Sequence, residues 1–176
     1  MDAASLCVFL GLLQVRAAWA KFRRPAVFQS ILRRYPLGSW LGAAGVAKLV
    51  PAAELILACA LLAPVRLARL WGCWGMLAFL VAASAAIYRR YRKGEERFAC
   101  GCSGNLEEET PVWGMLVRNT ALLCVTTVAW LFSSGHTAPV HYAMGLAFLL
   151  AHDLFETALI QEGRVRSWKG LGSDLT

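Results

Sequence analysis

The chain has 176 residues, 58% of them hydrophobic and only 16% charged. That balance excludes a disordered or collagen-like chain and almost any soluble enzyme, because a water-soluble fold of this size cannot bury so much apolar surface. The net charge of +7 arrives without a Gly-rich phosphate loop, zinc-finger spacing or RNA-binding aromatic motif, so the basic residues read as flanks of membrane spans facing anionic headgroups, with no nucleic-acid partner.

Five apolar runs follow one another, each near the ~20 residues a helix needs to cross a bilayer. The first, about residues 3–20, is interrupted by Gln14 and Arg16. No basic stretch precedes it, so it is expected to be a span and not a cleaved signal. Next comes a short amphipathic segment, Pro25 to Tyr35. Its Val27, Phe28, Ile31, Leu32 and Tyr35 recur at helical spacing and suit a helix lying at the membrane interface. Pro36 and Gly38 end it.

The second run, 40–63, carries Lys48, Pro51 and Glu54; the third, 67–88, is rich in small residues such as Gly72, Gly75 and Ala82 to Ala86. Small residues let helices approach closely. The fourth run, 112–133, opens with Arg118 and Asn119, and the fifth, 138–160, ends with Asp153 and Glu156. Runs this long without alternation are helices, and tight turns at Pro64 and between Gly135 and Pro139 make neighbours antiparallel. The expected fold is an all-α integral membrane protein. It is a four-helix transmembrane bundle plus a fifth C-terminal transmembrane helix, with the short amphipathic interfacial helix after the first span. Residues 1–162 form a single domain and 163–176 a polar tail.

Thirteen of the eighteen Lys and Arg residues fall on one side of this topology, and only Arg66 and Arg69 on the other. The positive-inside rule then puts the loop between the third and fourth spans in the cytosol.

That loop holds the sharpest local feature, Arg97-Phe-Ala-Cys100-Gly-Cys102-Ser-Gly104. A disulfide across one residue closes a small, tight ring and is more readily reduced than a structural staple. Gly101 and Gly104 supply permissive backbone. Arg97 nearby favours the reactive thiolate and Glu107, Glu108 and Glu109 oppose it. The plainer alternatives are a metal half-site or two idle thiols. A zinc site needs about four ligands, and the loop has no other Cys or His, so redox use is favoured and no metal is expected. Cys7, Cys59, Cys73 and Cys124 sit in apolar runs. There, a buried hydrophobe is the favoured reading over a thiol relay across the membrane.

Charges inside spans are costly. Glu54 can pair with Lys21, Arg16 or Arg118, or carry protons, and pairing is favoured. Arg118 and Asn119 can bind headgroups, meet Glu54 or orient a carbonyl of a bound quinone. His152, Asp153 and Glu156 share a helix face, where an interfacial polar end is favoured over a metal site. Trp19, Trp40, Trp113, Tyr88 and Tyr35 fit aromatic belts.

Four stretches in order resemble one family. They are Lys21-Phe-Arg-Arg-Pro25 with Phe28 and Tyr35-Pro36; Leu49-Val-Pro51-Ala-Ala-Glu54-Leu55; Cys100-Gly-Cys102-Ser-Gly104; and Arg118-Asn119. Over about residues 5–133 the chain resembles the MauE/DoxX-like redox-associated membrane proteins, nearest the methylamine-utilisation MauE branch. The resemblance implies a helical bundle in the plasma (inner) membrane. It implies a role in disulfide formation or maturation of a partner, for MauE members the methylamine dehydrogenase small subunit, beside a thioredoxin-like protein. It makes Cys100 and Cys102 the redox pair, Glu54, Arg118, Asn119 and Lys21 the matching polar positions, and quinone, linked to DoxX relatives, the candidate cofactor, although no quinone motif is visible. Ser103 stands where the family usually has Phe. Maturation outside the cell also needs the loop on the outer face, against the charge count.

The leading reading is therefore a membrane thiol–disulfide redox protein, a possible oxidoreductase, working on a protein substrate. A non-catalytic assembly subunit held through the amphipathic helix is the alternative. A small transporter using Glu54 and Asp153 ranks last, because no internal repeat supports it.

Overall fold

The computed structural model describes residues 3–35, 42–99, 109–132, 139–154 and 157. They form α1 (Ala3–Arg23), α2 (Pro25–Leu32), α3 (Gly42–Leu62), α4 (Arg66–Tyr91), a two-stranded hairpin β1 (Arg97–Phe98) and β2 (Thr110–Pro111), and α5 (Val112–Leu131). A last helix, α6, runs over 139–154. Four of these helices, α1, α3, α4 and α5, are long and apolar enough to cross a membrane. The chain is an all-α multi-pass membrane protein. Where a fifth span is expected over 138–160, the described helix is shorter, and the rest of that run lies outside the described residues, as does the tail from Gly163.

Close helix contacts fix the directions. A Cβ at Gly11 would lie 2.8 Å from Leu62 Cγ, and one at Gly72 3.0 Å from Leu61 Cγ. With Lys21 bonded to Glu54 and Gly75 set against Leu57, these contacts set α3 antiparallel to α1 and α4 antiparallel to α3. Trp74 stacks edge-on against Trp130 and Asn119 bonds Ser84, so α5 runs against α4. Gly145 of α6 meets Val8, and Asp153 meets Arg16; α6 therefore lies along α1 in the same direction. The C-terminal ends of α1 and α4, the hairpin, α2 and the N-terminal ends of α3 and α5 gather at one end of the bundle, called here the loop end. Both described clusters of basic residues, Lys21 to Arg34 and Arg89 to Arg97, belong to it.

Burial is unequal. In α1, 67% of the apolar window is buried, against 22–33% in α3, α4 and α5. The first helix is thus the centre of the bundle, and the others show one face to lipid. Leu6, Cys7, Phe9 and Leu10 of α1 form the core with Leu61, Cys73, Met76, Leu80, Leu122 and Ala129. Trp19, Trp113 and Tyr88 are exposed at helix ends, as aromatic belts require. Tyr35 instead packs into protein, and Trp40 lies outside the described residues.

The amphipathic segment forms α2 with Pro25 in its first turn, where a missing N–H costs nothing. The helix ends at Leu32, one turn short of the expected Tyr35. Its apolar stripe, Phe28, Ile31 and Leu32, rests on Val46, Ala47 and Val50 of α3 and on Ala99. Protein, not only the membrane surface, covers that face.

Gly145→Ala is expected to lower stability by about 1–3 kcal/mol through overpacking. The new Cβ would meet the Phe9 backbone nitrogen at 3.0 Å, and backbone cannot step aside. Denaturant unfolding in micelles measures this. Gly114→Ala, whose Cβ would find only Pro111 Cγ at 3.7 Å, is the control expected to show no loss.

Candidate functional site

The polar residues of the loop end are held by two fasteners. The first joins α1 to α3. Lys21 Nζ donates to both carboxylate oxygens of Glu54, at 2.5 and 2.6 Å, and both side chains are 1% exposed. Of the three cations that the sequence offers Glu54, Lys21 is the one chosen; Arg16 goes to Asp153 on α6. The Lys21 ammonium also lies 5.5 Å from the Phe28 ring centroid, which ties α2 to the same point. Pro51, buried one turn before Glu54, removes an amide from the α3 ladder.

The second fastener is Arg90, at the end of α4 and 1% exposed. Its guanidinium carbon sits 3.9 Å from the Phe98 ring centroid and 4.9 Å from that of Tyr35, in a cation–π clamp. It also bonds the Glu95 carboxylate. Gly94, at φ +90°, makes the turn that brings Glu95 back. Phe98 is buried with Ile87, Val112 and Met115. The strands pair Arg97 with Pro111 and Phe98 with Thr110, and the Val112 amide donates to the Glu96 carbonyl at 3.0 Å. Arg97 itself reaches across to the Glu109 carbonyl at 3.4 Å. The two ends of the cysteine-bearing segment are thereby brought together, over α2 and against α4 and α5. Cys100 and Cys102 themselves lie outside the described residues; Cys100 is two positions past Phe98 in the chain.

Asn119, buried on α5, donates to Ser84 Oγ of α4 at 3.1 Å and accepts from Arg118 at 3.3 Å. Glu54 and Asn119 each answer a protein partner in a different helix pair.

At the opposite end, Cys7 and Cys73 are buried while Cys59 and Cys124 are exposed. Sequence reasoning leaves Arg69 as a flanking cation, yet the structure buries it completely. It also treats Arg90 as one basic residue among several near the surface. Neither role carries a local signal, because both depend on residues distant in the chain. His152 faces Asp153 at 3.6 Å and the Phe9 ring. Glu156 lies outside the described residues.

The chain matches the family of the methylamine utilisation protein MauE over residues 2–133. It belongs to the MauE family. No curated protein and no solved structure matches it. The MauE match takes in both fasteners, the hairpin and the Arg118-Asn119 pair, and α6 lies beyond it.

Glu54→Gln strands a buried ammonium and is expected to cost about 3–5 kcal/mol of stability. The double change Lys21→Met with Glu54→Leu removes both charges and is expected to recover most of that. Unfolding in micelles compares the three.

The Arg90 hydrogen bond holds the Glu95 carboxyl below the ordinary glutamate range. A carboxylate lowered on folding contributes stability that is full above its ordinary range and lost as pH falls through the lowered value. Protection of the Val112 amide, measured as its exchange rate relative to the intrinsic rate at each pH, is therefore expected to fall on acidification. Glu95→Gln is expected to lower that protection at neutral pH and to flatten the pH step.

Proposed function

We propose that this MauE-family protein is a thiol–disulfide redox protein of the plasma membrane, serving disulfide formation in a partner protein within methylamine utilisation. The observation that carries the reading is the pinned base of the Cys100-Gly-Cys102 segment. Paired strands, a buried Phe98 and the Arg90 clamp fix where that segment leaves the bundle. A visiting protein then meets a segment whose two flanks are already fixed to the bundle.

In the exchange, a thiolate of one protein attacks the disulfide of the other and forms a mixed disulfide. The second thiolate of the attacking pair releases it. One partner gains two electrons and two protons and the other loses them, so a disulfide on one side becomes a disulfide on the other. A thioredoxin-like protein or the maturing substrate fits the second role, since either carries a dithiol or a disulfide at its surface.

The loop end is rich in basic residues, but Lys21 and Arg90 are buried and engaged with Glu54 and Glu95. Those two report packing more than membrane orientation.

Labelling with a membrane-impermeant maleimide in intact cells tests the proposal. Cys100 and Cys102 are expected to label after a thiol reductant and to resist labelling after an oxidant. Labelling in intact cells places the loop outside, and labelling only after lysis places it in the cytosol. The Cys100→Ser, Cys102→Ser double variant is expected to abolish partner maturation. Unchanged labelling, or full maturation by the double variant, overturns redox cycling and leaves a partner-holding role.

A further inference from the structure

We propose that Cys7 and Cys73 are a second thiol pair, an enclosed oxidation site at the end of the bundle away from the loop, which small hydroperoxides convert into a reversible disulfide bridging α1 and α4. The two residues are 66 positions apart in sequence, yet both belong to one packed core cluster. α1 and α4 touch where Gln14 donates to the Met76 sulfur, and two turns back along these parallel helices Cys7 comes level with Arg69, one turn from Cys73. Both cysteines are 0% exposed. Cys59 and Cys124, on the exposed faces of α3 and α5, show the other fate.

A third group marks the site. Arg69 of α4 is also 0% exposed and stands four residues before Cys73, on the same face of that helix. A buried cation in a span is costly. Here it supplies a counter-charge to the thiolate through which thiol chemistry passes.

Enclosure selects the oxidant. Leu6, Leu10, Leu61 and Met76 belong to the same packed cluster, so no protein can touch either sulfur. A small uncharged hydroperoxide can pass. One thiolate attacks the peroxide O–O bond; an S–O bond forms, the distal oxygen leaves as water or an alcohol, and the product is a sulfenic acid. The second sulfur attacks that sulfur, forming the S–S bond and releasing water. The two thiols lose two electrons and two protons, and the hydroperoxide becomes an alcohol (or water) plus water. A dithiol reductant restores both thiols by exchange.

α1 and α4 each pack against α3 and α5. The bond would add a direct covalent link between the central helix and α4. The proposal uses neither Cys100 nor Cys102, and it stands or falls apart from the function proposed for them.

The test uses the full chain in membrane vesicles treated with graded hydrogen peroxide, then alkylated under denaturing conditions and mapped by mass spectrometry. A linked pair of peptides containing Cys7 and Cys73, two hydrogens lighter than their sum, is expected to rise with dose. Dithiothreitol is expected to return it to two alkylated peptides. The same link is expected in the Cys100→Ser, Cys102→Ser and Cys59→Ser backgrounds and absent in Cys73→Ser. Recovery of Cys7 and Cys73 only as separate thiols, or only as separate sulfinic acids, across the whole dose range overturns the proposal. The wild-type map alone decides between these outcomes, so poor folding of Cys73→Ser leaves the test intact.

Discussion

Water is not available at membrane depth, so every polar side chain on a central helix must be answered from within the protein. Four on the first helix are answered from other helices. Ser5 donates to the Met144 sulfur, Gln14 to the Met76 sulfur, Arg16 to Asp153 and Lys21 to Glu54. The partners sit on α6, α4, α6 and α3, so satisfying these groups places α1 among its neighbours. Thioether sulfur is a weak acceptor, whereas the Lys21–Glu54 pair is ionic, enclosed and doubly bonded. It is the strongest of the four ties, and the loop end is assembled around it.

From that tie the candidate site builds outward in order. Lys21 and Phe28 bring α2 to the start of α3. α2 and Tyr35 then form a floor that meets Ala99 and Phe98. Arg90 locks this floor to the end of α4, and the short hairpin closes the base of the cysteine segment. Two stretches that carry the MauE resemblance, Lys21 to Tyr35 and Leu49 to Leu55, thus belong to one supporting structure. In that structure each holds a neighbour in place.

Much of the architecture is legible in the sequence because apolar length is a local property. Spans can be drawn from Ala3, Trp40, Leu67 and Val112 by counting, and they fall within a few residues of α1, α3, α4 and α5. The pairing of Glu54 is legible as a choice among three cations, since a carboxylate in a span demands one. The centrality of α1 is not. Polar groups on a span show that partners are needed but not which helices supply them, and only the packing against α3, α5 and α6 decides. The gathering of Cys7 and Cys73 into one packed cluster is hidden for the same reason, as is the burial of Arg69. Arg90 is concealed differently: it stands in a run of Arg89, Arg90, Arg92 and Lys93, where composition suggests headgroups, and the rings that enclose it come from α2 and β1.

The enclosure of α1 bears on how the protein is made. Its segment leaves the ribosome before any of the helices that answer its polar groups. Lys21 waits for α3, Gln14 for α4, and Ser5 and Arg16 for the last helix, more than 130 residues later. Until then the segment cannot settle at its final depth without exposing charge to acyl chains. The first helix to be made is therefore among the last to have its polar groups answered.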